Sequence, residues 1–300
     1  MIDWRNVWLL NMKMTIDSRF NLKTVEDLFA YFHLGKEKIK GIEIFVNENK
    51  VNKSYVLKEN DILELKYQDK INFIPLDQKL DIIYEDDYLL IVNKPINMLV
   101  HPDSLDKSGT LVNIVANYYQ KTNQNISVRY LHRIDMDTSG IVMIAKDILS
   151  SAILNYEISE HIVKRDYLCL ASGIFKEDSG RYEYKIAEDR HVANKKRVSK
   201  TGKIAITNYQ VLKRLRKKIN LCLVRLETGR THQIRLHFSY AGHPLLGDKL
   251  YNGSMNYIQR QALHSYQVEF IHPIFNKKMV FKAPIPSDIN QIIETFENKL

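Results

Sequence analysis

Cysteine is scarce: the 300-residue chain has two, Cys169 and Cys222, far apart and each inside an apolar run. That leaves no framework for a disulfide-stapled secreted scaffold, and buried free thiols in a reducing, cytoplasmic compartment are the expectation. Long hydrophobic runs are missing as well. No stretch approaches the ~20 consecutive apolar residues that a membrane helix needs, so no membrane segment is expected. The opening residues, Met1-Ile2-Asp3-Trp4-Arg5-Asn6, lack a basic segment followed by an apolar core, and no secretory leader is expected there. Internal repeats and low-complexity tracts are absent. So is any acidic excess: Lys and Arg outnumber Asp and Glu by 44 to 35, a formal net charge of +9. A basic balance favours polyanion partners, nucleic acid or an anionic surface, although a solvated lysine-rich surface gives the same count.

What is present is an ordinary globular composition, 45% hydrophobic and 26% charged, on a chain long enough for two domains. Residues 1–70 read as a small separate unit. Thr24 with Asp27 three positions on resembles a capping box, apolar Leu28, Phe29 and Phe32 follow at helical spacing, and Gly35 fits a C-terminal stop. A second short helix or turn over Lys36–Lys40 precedes Ile42, Ile44 and Val46, which alternate as a half-buried strand should. Asn47-Glu48-Asn49-Lys50 reads as a turn and Ile62-Leu63-Glu64-Leu65 as a strand. Residues 71–80, with Pro75, read as a linker. Over 81–300 strands and helices mix, which gives an α+β expectation with a mixed or antiparallel sheet. Leu89–Val92, Tyr167–Ala171 and Leu221–Leu226 read as strands. Leu111–Tyr119 reads as a helix, as does Thr231–Tyr240 with Thr231 as N-cap and Gly242 as stop; on the latter Ile234, Phe238 and Ala241 share a core-facing side.

The densest chemical signal is Tyr130-Leu131-His132-Arg133-Ile134-Asp135-Met136-Asp137-Thr138-Ser139-Gly140. In an extended segment residues two apart share a side, so Arg133 and Asp135 face one cleft while Ile134 points to the core. A cation nearby favours the ionised carboxylate, and an ionised Asp in a pocket can act as a nucleophile. Three further segments accompany it in order: Glu85–Pro102 with its Asn93-Lys94-Pro95, Lys164-Arg165-Asp166-Tyr167-Leu168, and Leu226–His237 continuing to Gly247-Asp248-Lys249-Leu250-Tyr251.

Together these segments resemble the RluA-type family of RNA pseudouridine synthases from about Glu85 to Pro284. Residues 1–70 resemble the S4 RNA-binding domain, without its usual Arg-Leu-Asp opening, where Leu22-Lys23-Thr24 stands instead. The resemblance implies a pseudouridine synthase catalytic domain behind an S4-like domain, a cytoplasmic enzyme isomerising uridine to pseudouridine in structured RNA without metal or organic cofactor. A 23S-type large-subunit ribosomal RNA is the leading target, with transfer RNA left open, and a monomer is the default. Carried over by position, Asp135 matches the essential aspartate and Arg133 a residue that displaces the target base. Tyr167 matches the tyrosine that stacks on the base, and Arg235 the basic partner of the aspartate. Lys36, Lys38 and Lys40 fall where an S4 domain meets phosphates. Asn97 stands where the family has Gly, and tolerates positive φ next best.

The chemistry suits these residue types. A C1′–N1 bond breaks and a C1′–C5 bond forms with no redox change; capture of C1′, addition to C6 and deprotonation of the ribose all remain open for Asp135. Uridine must first leave its stack, at a cost of a few kcal/mol, and an inserted cation such as Arg133 holds the gap open. Lys195, Lys196 and Arg197 open a cation-rich, Gly-containing loop suited to phosphates. Thr138-Ser139-Gly140 shapes the loop after Asp135. His132, His232 and His237 form no metal set, since 232 and 237 are not at the i, i+4 spacing of a helical pair. The competing classes are a catalytically silent RNA-binding factor, against which Asp135, Tyr167 and Arg235 together argue, and a nucleoside glycosidase, against which the missing paired acid near Asp135 argues.

Overall fold

The computed structural model describes residues 8–102 and 109–297; the leader expectation at residues 1–6 lies outside them. Residues 8–69 form β1 (Trp8–Thr15), α1 (Val25–Tyr31), α2 (Lys36–Ile39), β2 (Glu43–Val46), β3 (Asn49–Val51) and β4 (Ile62–Asp69), with an antiparallel sheet ordered β1-β4-β2-β3. The capping box at α1 is formed: the Thr24 hydroxyl accepts from Asp27 N at 3.1 Å, and the Asp27 carboxylate accepts from Thr24 N at 2.8 Å. Gly35 is not the stop of this helix. His33 takes the left-handed position at φ 53°, so that Phe32 and Leu34 both turn into the core, and Gly35 opens α2. Asn47 and Glu48, at φ 48° and 69°, make the two-residue hairpin turn that matches strand twist.

The second unit contains β5 (Ile82–Glu85), β6 (Leu89–Lys94), α3 (Leu111–Lys121), β7 (Arg129–Tyr130), β8 (Ser139–Ala145), α4 (Ile148–Ser159), β9 (Lys164–Ser172), β10 (Ser179–Glu188), β11 (Lys196–Val198), β12 (Lys203–Leu215), β13 (Ile219–Leu226), α5 (Gln233–Tyr240), β14 (Leu263–Ile271), β15 (Lys278–Lys282) and α6 (Ser287–Phe296). Among the described residues its eleven strands make one sheet, β11-β10-β12-β13-β9-β14-β8-β6-β5, with β15 on β14 and β7 on β8. Only β14 and β8 run parallel among these pairs. The architecture is α+β with a mixed sheet. Lys195–Lys203, expected as a loop, is part strand: Lys196–Val198 form β11, which folds back on β10, and the turn at Ser199–Gly202 leads into β12.

Alternation along the central strands builds a core on each face. Leu89, Ile91, Ile141, Met143 and Ala145 belong to one apolar cluster together with Met12, Met14, Leu63 and Leu65 of the first unit. Leu90, Val92, Val142 and Ile144 belong to the other, with α3, Tyr167, Ile234 and Phe238. Polar contacts add to the apolar docking: Arg129 pairs with Asp69 at 2.5 Å, Tyr88 donates to Lys13 O at 2.8 Å, and His33 stacks on Tyr156 at 3.6 Å. The connecting residues 70–80 lie against α3, where Leu76 N donates to Asn113 O at 3.0 Å and Asn113 Nδ2 to Ile74 O at 2.8 Å. Cys169 and Cys222 are free and buried. Among the described residues no helix is long and apolar enough to cross a membrane.

Candidate active site

Asp135 sits at the start of a tight turn, with Thr138 N donating to its carbonyl at 3.1 Å. The expected alternation holds in space: Arg133 is exposed, Ile134 buried and Asp135 half-buried. The small residues after the turn are required by close packing. Ser139 Oγ lies 2.9 Å from His264 Nδ1, and Gly140, at φ 110°, lets β8 run against β14; a β-carbon there would stand 2.2 Å from Ser265 O. Behind the turn two buried cations hold its carbonyls. Lys94 Nζ donates to Met136 O at 3.0 Å, Met98 O at 2.7 Å and Pro95 O at 2.7 Å; Arg260 Nη1 donates to Asp137 O at 3.3 Å and pairs with Asp288. Burial pushes the Lys94 amine down to about 7, with the charges of Asp137 and Asp135 opposing. Three acceptors match the three N–H bonds of an ammonium group, so the charged form is the one this cradle holds. Asn97 adopts φ 58°, the conformation expected where Gly is usual.

Arg235 reaches the turn from α5. Thr231 does not cap this helix: His232 is the N-cap residue, at φ 57°, and the entry loop is tied by Gln233, whose Oε1 accepts from Thr228 Oγ1 at 2.7 Å and Arg230 N at 3.0 Å. The Arg235 guanidinium is shared. Nε and Nη2 bond both oxygens of Asp248 at 2.7 and 2.9 Å, and Nη1 bonds Asp135 Oδ2 at 3.0 Å. Burial works against this charge, but the Asp248 contacts and then Asp135 outweigh it and hold the Arg235 pKa above its ordinary value. Gly247, at φ 72°, lets the loop before Asp248 press on Arg260; a β-carbon there would stand 1.9 Å from Arg260 O. His232 Nε2 is 3.8 Å from Asp135 Oδ2. Its Nδ1 lies 3.1 Å from the Tyr251 hydroxyl, which itself accepts from Lys196 N at 2.8 Å. Where that hydroxyl donates to Nδ1, the neutral ring carries its N–H at Nε2, toward Asp135. Burial lowers the His232 pKa, with the Asp135 charge opposing.

Asp135, His232 and Arg235 line a cleft of about 1040 Å³. Tyr167, 5% exposed, enters it from β9, opposite Ser265 and beside the bulge that interrupts pairing with β14. Burial raises its pKa above the ordinary phenol value, against the nearby charge of Arg165. Arg133 lies on the exposed side, its Nη1 3.0 Å from His101 Nε2, and the His101 ring stacks on Tyr130. Thus Asp135, Tyr167, Arg235 and Arg133 converge on one cleft.

The other expected residues divide. Lys196 also lines the cleft but is paired with Glu188, Arg197 Nε donates to Glu188 O at 3.2 Å, and Lys195 Nζ stands 5.8 Å from the Tyr251 ring centre. Lys36, Lys38 and Lys40 are exposed on and beside α2, with Lys40 bonded to Glu37. Sequence reasoning missed Asp248, Lys94 and the proximity of His232 to Asp135. Asp248 and Lys94 stand inside motifs that carry the resemblance, which was their available signal. His237 is a packing histidine, fully buried and pushed down to about 4 by burial. No cluster of three or more His, Cys, Asp or Glu among the described residues could hold a metal ion.

Comparison with known proteins gives the family. The model of the RNA pseudouridylate synthase family matches residues 88–240. A Bacillus subtilis protein named "Uncharacterized RNA pseudouridine synthase YhcT" is 37% identical over 257 residues, 85% of each chain. The ribosomal large subunit pseudouridine synthase D of Vibrio vulnificus is 32% identical over 302 residues, 96% of this chain and 84% of that one. Among solved structures, human RNA pseudouridylate synthase domain containing 4 superposes with a TM-score of 0.60 at 20% identity, covering 71% of this chain and 92% of its own, a likeness of fold. With the aspartate turn, the tyrosine strand and the arginine helix meeting in one cleft, the chain belongs to the RluA-type family of RNA pseudouridine synthases.

Proposed function

We propose that this enzyme isomerises uridine in structured large-subunit ribosomal RNA, with Asp135 as the reacting carboxylate and without metal or organic cofactor. The observation that carries the reading is the asymmetric holding of Asp135. Arg235 fixes Oδ2 at 3.0 Å, while no donor among the described residues bonds Oδ1. One oxygen is anchored and the other is left for substrate. In the reaction C1′–N1 breaks, C1′–C5 forms, C5 gives up its proton and N1 gains one. Arg235 keeps the carboxylate in place through these steps, whether it captures C1′, adds to C6 or takes a ribose proton. Tyr167, a neutral phenol, provides a face on which the detached uracil stays and turns. Arg133, at the exposed edge, fills the gap left by the extruded base.

Lys195, Lys196 and Arg197 at the rim, and Lys36, Lys38 and Lys40 on the S4-like unit, extend the phosphate-binding surface, so affinity falls as salt rises. The large-subunit target is supported by the names of relatives that match across most of this chain, such as the Vibrio vulnificus enzyme. The test is tritium release from ribosomal RNA labelled at uridine C5 and taken from cells lacking this protein. Wild type releases tritium and Asp135→Asn, equally folded, does not. Folded wild type that binds the RNA without releasing tritium would overturn the proposal in favour of a silent binding factor.

A further inference from the structure

Among the described residues Arg165 differs from every other buried arginine and lysine. Lys94 has three carbonyls, Arg235 two carboxylates, and Arg260 a carboxylate with three carbonyls. Arg165 is 8% exposed, its Nε is buried without an acceptor, and its guanidinium has no hydrogen-bond or ion-pair partner among the described residues. It lies two positions before Tyr167 on β9, on the same side of the strand, and lines the same cleft. Its terminal nitrogens lie against Gly229, 3.4 and 3.7 Å from where a β-carbon would be, so the absence of a side chain there leaves room beside the fork. The unneutralised charge is felt nearby: burial first, and Arg165 second, push His132 down to about 3.

A desolvated, unpaired guanidinium is costly, and folds keep such a group when something else completes it. The carbonyls of a uracil would bond the fork but leave its charge unbalanced. An oxyanion does both, and the planar fork fits two phosphate oxygens at once. We propose that Arg165 is an anion-binding residue inside the cleft that takes a phosphate group of the target nucleotide. This rests on the RNA reading of the cleft and adds to it a contact deeper than Arg133 and separate from the rim lysines.

The test titrates uridine, uridine 3′-monophosphate, uridine 5′-monophosphate and inorganic phosphate into wild type, Arg165→Met and Arg165→Lys by calorimetry. One monophosphate should bind wild type roughly tenfold to a hundredfold more tightly than uridine. Arg165→Met should lose that advantage, and Arg165→Lys, which keeps the charge, should retain part of it and covers the case in which the Met variant does not fold. No phosphate advantage in wild type, or the same advantage in wild type and variant, overturns the proposal. Inorganic phosphate that binds wild type but not Arg165→Met, with no gain from an attached uridine, keeps the anion site and sinks the RNA reading instead. Failure of tritium release alone leaves the phosphate result standing.

Discussion

Asp248→Asn should separate the positioning of Asp135 from its chemistry. Asp248 is 1% exposed at its side chain and meets Arg235, itself 9% exposed, through two hydrogen bonds. Breaking a buried pair on one side costs about 3–5 kcal/mol. The amide keeps one acceptor, and Asp135 remains 3.0 Å from the same guanidinium, so the expected loss of stability is about 2–3 kcal/mol. Freed from half its anchor, Arg235 turns toward Asp135 and pulls Oδ2 with it. A displacement of ~1 Å at a reacting group costs on the order of 100-fold. Because Asp248 is sealed from the cleft, the loss should fall on kcat and leave KM within about threefold. Urea unfolding and steady-state tritium release measure the two effects. Stability within about 0.5 kcal/mol of wild type together with unchanged kcat would refute the reasoning. A double variant, Arg235→Met with Asp248→Leu, sharpens it: replacing a buried pair by apolar side chains of similar size is often neutral, so stability should return toward wild type while activity stays lost. A double variant as unstable as the sum of its singles would show that the pair is not the energetic unit.

Arg133→Ala, at an exposed position, should change stability by less than about 0.5 kcal/mol while slowing tritium release from folded RNA more than from a pre-opened mismatch substrate; equal slowing on both would remove Arg133 from base displacement. His132, His237 and His264 are buried and pushed by burial to about 3, 4 and 4. The unfolded chain binds protons at these residues from about pH 6.5 downward while the folded one does not, so their neutral burial is fully favourable above that pH and is lost on acidification toward the folded values. At pH 5 the three together should cost on the order of 5 kcal/mol relative to pH 7, read by urea unfolding, and His237→Leu should remove about a third of that slope; no change in slope would mean that His237 titrates normally.

The motifs were legible because each is a run of contiguous residues with its own local geometry. Thr24 and Asp27 make their capping box within four residues, and Asn47-Glu48 turn without outside help. Leu221–Leu226 and Tyr167–Ala171 read as strands from their own apolar content and then pair with each other. The misses are non-local. Thr231 has the right side chain for a cap, yet Gln233 is held by β12, donating to Ile206 O at 2.9 Å and Thr207 Oγ1 at 3.0 Å, and the helix is entered at His232. Lys196–Val198, inside the expected loop, becomes a strand only when β10 is present to pair with it. The Asp135–Arg235 contact was available through family resemblance, and Asp248 stood inside a motif of that resemblance, but its rank as the two-bond anchor of Arg235 shows only once the chain is folded.

The segment carrying Asp135 belongs to neither helix nor strand, yet its placement is over-determined. Leu131 is packed in the apolar cluster that includes the N-terminal unit, and Ile134 in the cluster on the other face of the sheet with α3 and Tyr167. Four residues therefore span both cores, and the chain between them cannot slide without opening one. His132 adds a fixed point, its Nε2 accepting from Met143 N at 3.2 Å. Beyond Ile134, Lys94 and Arg260 hold the carbonyls of Met136 and Asp137. With the backbone pinned on both sides of residue 135, Arg235 needs to orient one carboxylate rather than order a loop, so in the reaction proposed above little reorganisation would remain for the chemical step. The same arrangement explains why Arg133 alone is exposed among the residues from Leu131 to Ile134. It is the member of this run that neither core holds, and its side chain is left to the open side of the cleft, beside His101.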